Sequence, residues 1–414
     1  MLVPKGMLER MQLAGQEQRS KAGLLAGLYT TQTLGLAFVT TAVPVILRQA
    51  GAGLDVISLV FVLGICWSFK FLWAPLIDRY GSRRLGHYRG WIVLLQLLMI
   101  LATVSAAFFP PGTHLPALAV LLVLISFFSA TQDIAADGLS VTILRPEERA
   151  LGCSIQSAGN MLGFLIGGGV VLLVYQWLGW RVCLFALAVG MALPLWGISR
   201  YHEPQSSAVA KGGKCDFSVL LRFFKRPGIL HWIAIVLVFR INGQISYWLL
   251  STYLVDLGWS LERIGFVLNI VGLLLGMGGS IFGGVLVERC GRRTAMLATQ
   301  FMGLLGTVGF IVLLQGAAES ISLAVYAVLV LSMIGFGLSF TVVFTVIMDK
   351  CDPASAATDF TLQWSLGGLS SMAVAGVSMA LAEYVGYTWV LCASVVIAIG
   401  ALALIWAYDG FEKV

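Results

Sequence analysis

The stretches IDRYGSRR, residues 77–84, and VERCGRR, residues 287–293, are two versions of one short loop, 210 positions apart. Each places a carboxylate, arginines and a glycine directly after a long apolar run, where a helix leaving a bilayer meets water and lipid headgroups. Further matches share an offset of 207: Leu54-Asp55 with Ile57 against Leu261-Glu262 with Ile264, Pro146 against Pro353, Gln156 against Gln363, and Gly179 against Gly386. The chain reads as two copies of one unit.

Outward from these loops the sequence is predominantly apolar. Hydrophobic residues make up 59% and charged residues only 11%, against about 25% charged in a soluble domain. A bilayer core needs about 20 apolar residues per helix. About twelve runs qualify: 22–47, 56–77, 90–109, 116–143, 150–175, 180–199, 229–255, 263–287, 294–314, 321–348, 356–382 and 386–407. The first is too long for a signal-peptide core and is expected to be retained. The expected fold class is an all-α polytopic membrane protein, with twelve transmembrane helices in two pseudo-symmetric six-helix bundles. The first bundle is expected over 1–200, a cytoplasmic central loop over 201–228 and the second bundle over 229–414. In that loop Leu220, Leu221, Phe223 and Phe224 either rest on the membrane, with Arg222, Lys225 and Arg226 at headgroups, or belong to an ordinary linker.

The net charge of +6 does not point to nucleic acid, because the basic residues form short clusters between apolar runs and no continuous face. Most of them fall on one side if both termini are cytoplasmic; only Arg48, Arg181 and Arg263 fall on the other. The seven cysteines and four histidines are scattered without CxxC or ligand spacing, so no disulfide framework or metal site is expected. The glycine clusters at 167–169 and 276–284 sit inside apolar helices with no strand before them and no lysine-serine pair after them. They read as close helix packing rather than phosphate loops. No hydrolase elbow or zinc-protease motif is present, and enzyme chemistry has no evident home.

The repeated loop resembles the signature G-x-x-x-D-R-x-G-R-[RK] of the major facilitator superfamily. Gly284, Glu288, Arg289, Gly291, Arg292 and Arg293 carry the second copy; Asp78, Arg79, Gly81 and Arg83 carry the first, with Ala74 and Ser82 departing from it. The resemblance implies that these residues gate a change of conformation; the alternative is that they only anchor the helix ends. It also implies a ligand site near the midplane between the halves, and a functional monomer.

Four charges lie deep within the apolar runs. Lys70 precedes Asp78 by eight residues, roughly 12 Å along a helix. Asp133 and Asp137 sit one turn apart at comparable depth, and Arg240 lies about twelve residues into the seventh run. Such charges face an interior or a wet cavity. Like charges four apart repel, so the aspartates read as a proton-coupling pair with Lys70 as counter-ion; the alternative is a static Lys70–Asp133 bond. Arg240 is a substrate-binding candidate because a guanidinium holds a carboxylate with two prongs, or it is an interhelical bond. Tyr29, Gln32, Asn242, Gln244, Tyr247, Trp248, Gln363 and Trp364 are further substrate candidates, each of which could equally bond across helices. All these charges are expected to look onto one shared hollow.

The segments FKFLWAPLIDRYGSRRLGHYRGW (69–91) and SATQDIAADGLSV (129–141) followed by RPEER are similar to one branch of the superfamily. That branch contains the AmpG muropeptide permeases, the acetyl-coenzyme A transporters and the RhtX/FptX siderophore permeases. The compact length is most similar to the ferric pyochelin type. This implies a proton-driven importer of a ferric siderophore in the bacterial inner membrane. Such a protein has no cofactor of its own, since the chelate already supplies the iron's ligands. Its partners would be the small-molecule substrate, protons and membrane lipid. The alternatives are an AmpG-like permease for anhydromuropeptides and a sensor that binds without transporting.

Overall fold

The computed structural model describes residues 5–53, 65–82, 84–111, 114–203, 216–315 and 321–411. The matched residues Leu54, Asp55 and Ile57 and the loop residue Arg83 lie outside these.

Among the described residues, nine helical stretches are long and apolar enough to cross a membrane: Gln16–Gln49, His87–Ala106, Leu115–Ile143, Arg149–Arg200, Ile229–Asp256, Glu262–Gln315, Ala324–Asp349, Pro353–Val385 and Tyr387–Trp406. Two of these are double. Arg149–Arg200 breaks at Gly179, giving spans five and six, and Glu262–Gln315 breaks at Gly291, giving spans eight and nine. The remaining span, the second, is described from Ile65 and runs through a 3₁₀ turn at Lys70–Leu72 to Ala74–Arg79. Twelve spans result, as the apolar runs predict. Helices are the expected solution, because lipid offers the backbone no hydrogen-bond partners and each helix satisfies its own. Apolar side chains such as Leu101, Leu193 and Val312 are exposed on the outside, where lipid would cover them.

The repeat is visible in the backbone. Gly179 (φ 70°, ψ −179°) and Gly386 (φ 81°, ψ 160°) adopt matching conformations, in a region that is essentially closed to other residues. Each redirects the chain into the last span of its half. A second matched pair, Gly51 and Gly258, also has positive φ.

Two of the crossings that join the halves match each other. Span five packs on span eight, where Ser157 Oγ meets Ser280 Oγ at 2.8 Å. A side-chain carbon on Gly284 would lie 3.0 Å from Ser154, so glycine is what lets these helices approach. Span two packs on span eleven, with Ser68 Oγ donating to Met372 Sδ at 3.4 Å. Spans two and eight correspond in the repeat, as do five and eleven, so the two crossings are one contact used twice.

The central connection differs from one of its two readings. Its described part forms a short helix, Ser218–Phe223. Phe223 is fully buried in the protein core, and Arg226 donates to Asp359 at 2.6 Å. Both are taken up by the protein, whereas Leu221 stays exposed.

Candidate functional site

The first cluster lies within the first half. Lys70 is completely buried and forms an ion pair with Asp133 Oδ2, while Asp137 Oδ2 lies 4.0 Å from its ammonium. Residues 133 and 137 share a face of span four, so one lysine on the 3₁₀ turn of span two reaches both. Gln32 of span one donates to the other oxygen of Asp133. Tyr29 Oη and Gln156 Nε2 each donate to Asp137 Oδ1 at 2.9 Å, and Tyr29 also meets Ser140 at 2.8 Å. Both carboxylates are therefore held by donors from spans one, two and five, as buried charges require. Tyr29 and Gln32, expected on a substrate surface, serve the carboxylates instead.

The second cluster surrounds Arg240. The helix pauses there, between Ile229–Phe239 and Ile241–Asp256. The guanidinium lies over the rings of Phe340 at 4.1 Å, Trp364 at 4.8 Å and Phe336 at 6.0 Å. It is 8% exposed, and among the described residues no carboxylate or carbonyl pairs with it. It lines a narrow cleft of about 50 Å³, walled by Asn242, Gln244 and Tyr247 from span seven, Thr299, Gln300 and Gly303 from span nine, and Ser332, Phe336 and Ser339 from span ten. Cation–π contact stabilises a desolvated cation without neutralising it, so this guanidinium remains available to an anion.

These placements correct several expectations. The cleft is formed within the second half, by spans seven, nine and ten, and no described residue of the first half lines it. The acidic cluster contributes nothing to the lining of this cleft. What lies between them is span eleven, which packs against the described part of span two and carries Trp364 against Arg240. Trp248 points away from the cleft and is 44% exposed, because it follows the cleft residue Tyr247 and falls on a different helix face. Gln363 is buried at the core of the second half, accepting from Trp232 Nε1 at 2.6 Å and donating to Asp359 O at 2.9 Å. Its match with Gln156 reflects the repeat rather than a substrate contact.

The residues expected to gate gather at the end of the molecule where the described chain begins and ends. Asp78 accepts the backbone N–H groups of Ala357 and Thr358 at 3.0 and 2.8 Å, at the start of span eleven, where a helix end favours an anion. Tyr88 Oη donates to Asp78 at 2.6 Å. Arg79 follows in the same turn, and Gly81 sits where a side chain would collide with His87. In the second copy Arg292 donates to Asp349 at 3.0 Å and to Pro146 O at 3.0 Å, Gly291 turns the chain, and Arg293 donates to Trp406 O. Glu288 and Arg289 are exposed.

Sequence reasoning missed Asp349, which also takes Arg149 at 2.8 Å, and the Arg226–Asp359 pair. These carboxylates stand at helix ends, where such residues are common, and only their full burial sets them apart. The share of span nine in the cleft was also missed, although Gln300 interrupts its apolar run.

Twelve spans in two matched bundles, with buried charges inside and a cross-bundle ion pair at one end, are the build of a membrane transport protein. The chain belongs to the Major Facilitator Superfamily, whose sequence model matches residues 25–375. It is 28% identical over 392 residues to the anhydromuropeptide permease of Escherichia coli (strain K12), covering 94% of this chain and 79% of that protein. It is 22% identical over 382 residues to the putative transporter AmpG 4 of Rickettsia felis, covering 89% and 92%. Among solved structures, a bacterial homologue of the iron transporter ferroportin in an outward-facing state, with soaked iron, superposes with a TM-score of 0.72 at 15% identity, covering 94% and 99%. At that identity the likeness speaks for the fold alone.

Proposed function

We propose that this protein is a permease for glycopeptides of the anhydromuropeptide kind. It would sit in the bacterial inner membrane with both termini in the cytoplasm and act by proton-coupled alternating access. The observation that carries the reading is the Arg240 guanidinium, without a counter-ion among the described residues, in a cleft that also offers amides, hydroxyls and aromatic rings. A muropeptide presents carboxylates on its peptide and acetamido and hydroxyl groups on its sugars, which suits that mixture. The ferric siderophore expected from the chain's length is displaced, because the Escherichia coli relative carries the other cargo in its name. The iron soaked into the ferroportin homologue concerns that protein and not this one.

Coupling to protons rests on Asp133 and Asp137, buried against a single lysine. Both halves meet at the terminal end through Asp78 with Thr358, Arg149 with Asp349 and Arg292 with the Pro146 carbonyl, so an opening step must part these contacts. Counterflow in proteoliposomes tests the cargo. Labelled anhydromuropeptide is expected to exchange and labelled ferric siderophore is not; the reverse result overturns the reading.

A further inference from the structure

The wall of the cleft is unevenly satisfied. Thr299 Oγ1 donates back to Ala295 O at 2.7 Å and Ser339 Oγ to Phe336 O at 2.7 Å, so these hydroxyls bond to their own helices. The primary amides differ. Gln300 of span nine is 4% exposed and lines the cleft, yet its Nε2 has no hydrogen-bond partner among the described residues. Asn242 of span seven is 1% exposed and lines the same cleft. Its Oδ1 is engaged with Thr307 and Ser394 at 2.9 and 3.0 Å, while the other amide atom is unpartnered among the described residues. That free atom lies 3.5 Å from where a side chain on Gly303 would begin.

A buried amide without a partner costs about 1–3 kcal/mol, and a span surrounded by lipid has no water outside to relieve it. Two such amides on facing helices, in the cleft that holds Arg240, point to a ligand that completes them. The atoms left free on both residues are N–H donors, and an amide carbonyl oxygen is an acceptor that answers them.

We propose that Gln300, together with Asn242, forms a subsite for the acetamido groups on the sugars of the substrate, beside the anion contact at Arg240. The subsite makes Gln300 a specificity residue: it distinguishes N-acylated from free-amine forms of one sugar peptide. This rests on the glycopeptide reading above.

The test compares binding of an anhydromuropeptide and its de-N-acetylated counterpart to the purified full chain by competition in proteoliposomes. Wild type is expected to prefer the N-acetylated form by about tenfold, the size of one satisfied buried hydrogen bond. In Gln300→Met that preference is expected to vanish, while affinity for the de-N-acetylated form stays within about twofold, the margin within which a contact it does not make should leave it. Gln300→Leu serves the same comparison if the methionine variant is not recovered as a folded monomer. Equal binding of both forms by wild type, or an undiminished preference in the variants, overturns the subsite and leaves the cargo reading standing. Failure of wild type to bind either form overturns the cargo reading and the subsite with it.

Discussion

Arg149 and Asp349 join the two halves of the molecule, guanidinium Nη1 to carboxylate Oδ1 at 2.8 Å, with the aspartate side chain fully buried. Arg292 takes the other oxygen at 3.0 Å, so one carboxylate ties span five, span ten and the loop between spans eight and nine. The backbone amides of Ala357 and Thr358 on Asp78 close the same end.

Asp349→Asn is therefore expected to open this end. It removes the charge that two arginines share, and a hydrogen bond to a charged group contributes about 1.5–3 kcal/mol. Cys153 lies one turn after Arg149 and is completely buried, so it reports the change. In a background with the other cysteines replaced, maleimide labelling of Cys153 is expected to rise about tenfold or more over the parent. An unchanged rate would mean that the lock does not set the resting state.

The spans and their pairing were legible because lipid imposes a length and because the repeat preserved glycines where the backbone demands them, as at Gly179 and Gly386. Spacing also placed Asp133 and Asp137 on one face with Lys70 at their depth, and the ion pair follows. It did not reveal which neighbouring helix each polar side chain meets. Tyr29 and Gln32 look like a polar cavity stripe but turn to the carboxylates. Trp248 and Gln363 were drawn in by proximity and by the repeat, and burial sends them elsewhere. The cleft depends on how spans seven, nine and ten splay apart, a property of side-chain volume across three helices that no single run displays.

The Lys70–Asp133 pair predicts a compensating double substitution. Asp133→Asn leaves a buried ammonium with only the more distant Asp137, and losing one member of a buried pair costs about 3–5 kcal/mol. Thermal unfolding in detergent should fall accordingly. Lys70→Met in the same background removes the stranded charge and is expected to recover most of the loss. If the double variant is as unstable as the single one, the pair is not the energetic unit.

Asp137 makes a different prediction, since Tyr29 and Gln156 hold it as well as Lys70. Asp137→Asn keeps the shape and most of these contacts while removing a proton-binding group. Exchange of labelled substrate across proteoliposomes is expected to persist, whereas accumulation driven by an imposed pH gradient is expected to be lost. Retained gradient-driven accumulation would assign coupling elsewhere.

Arg240 offers the sharpest separation of function from stability. A buried guanidinium without a counter-ion among the described residues is a cost to the folded protein, only partly offset by Phe340 and Trp364. Arg240→Met fills similar space without the charge. It is expected to raise the melting temperature by a few degrees, the effect of about 1 kcal/mol in a large chain, and to abolish counterflow of the anionic substrate. Arg240→Lys keeps the charge but not the planar fork or the stacking, and its apparent affinity is expected to fall about tenfold. A residue kept only for packing would lower stability when replaced and leave substrate affinity where it was.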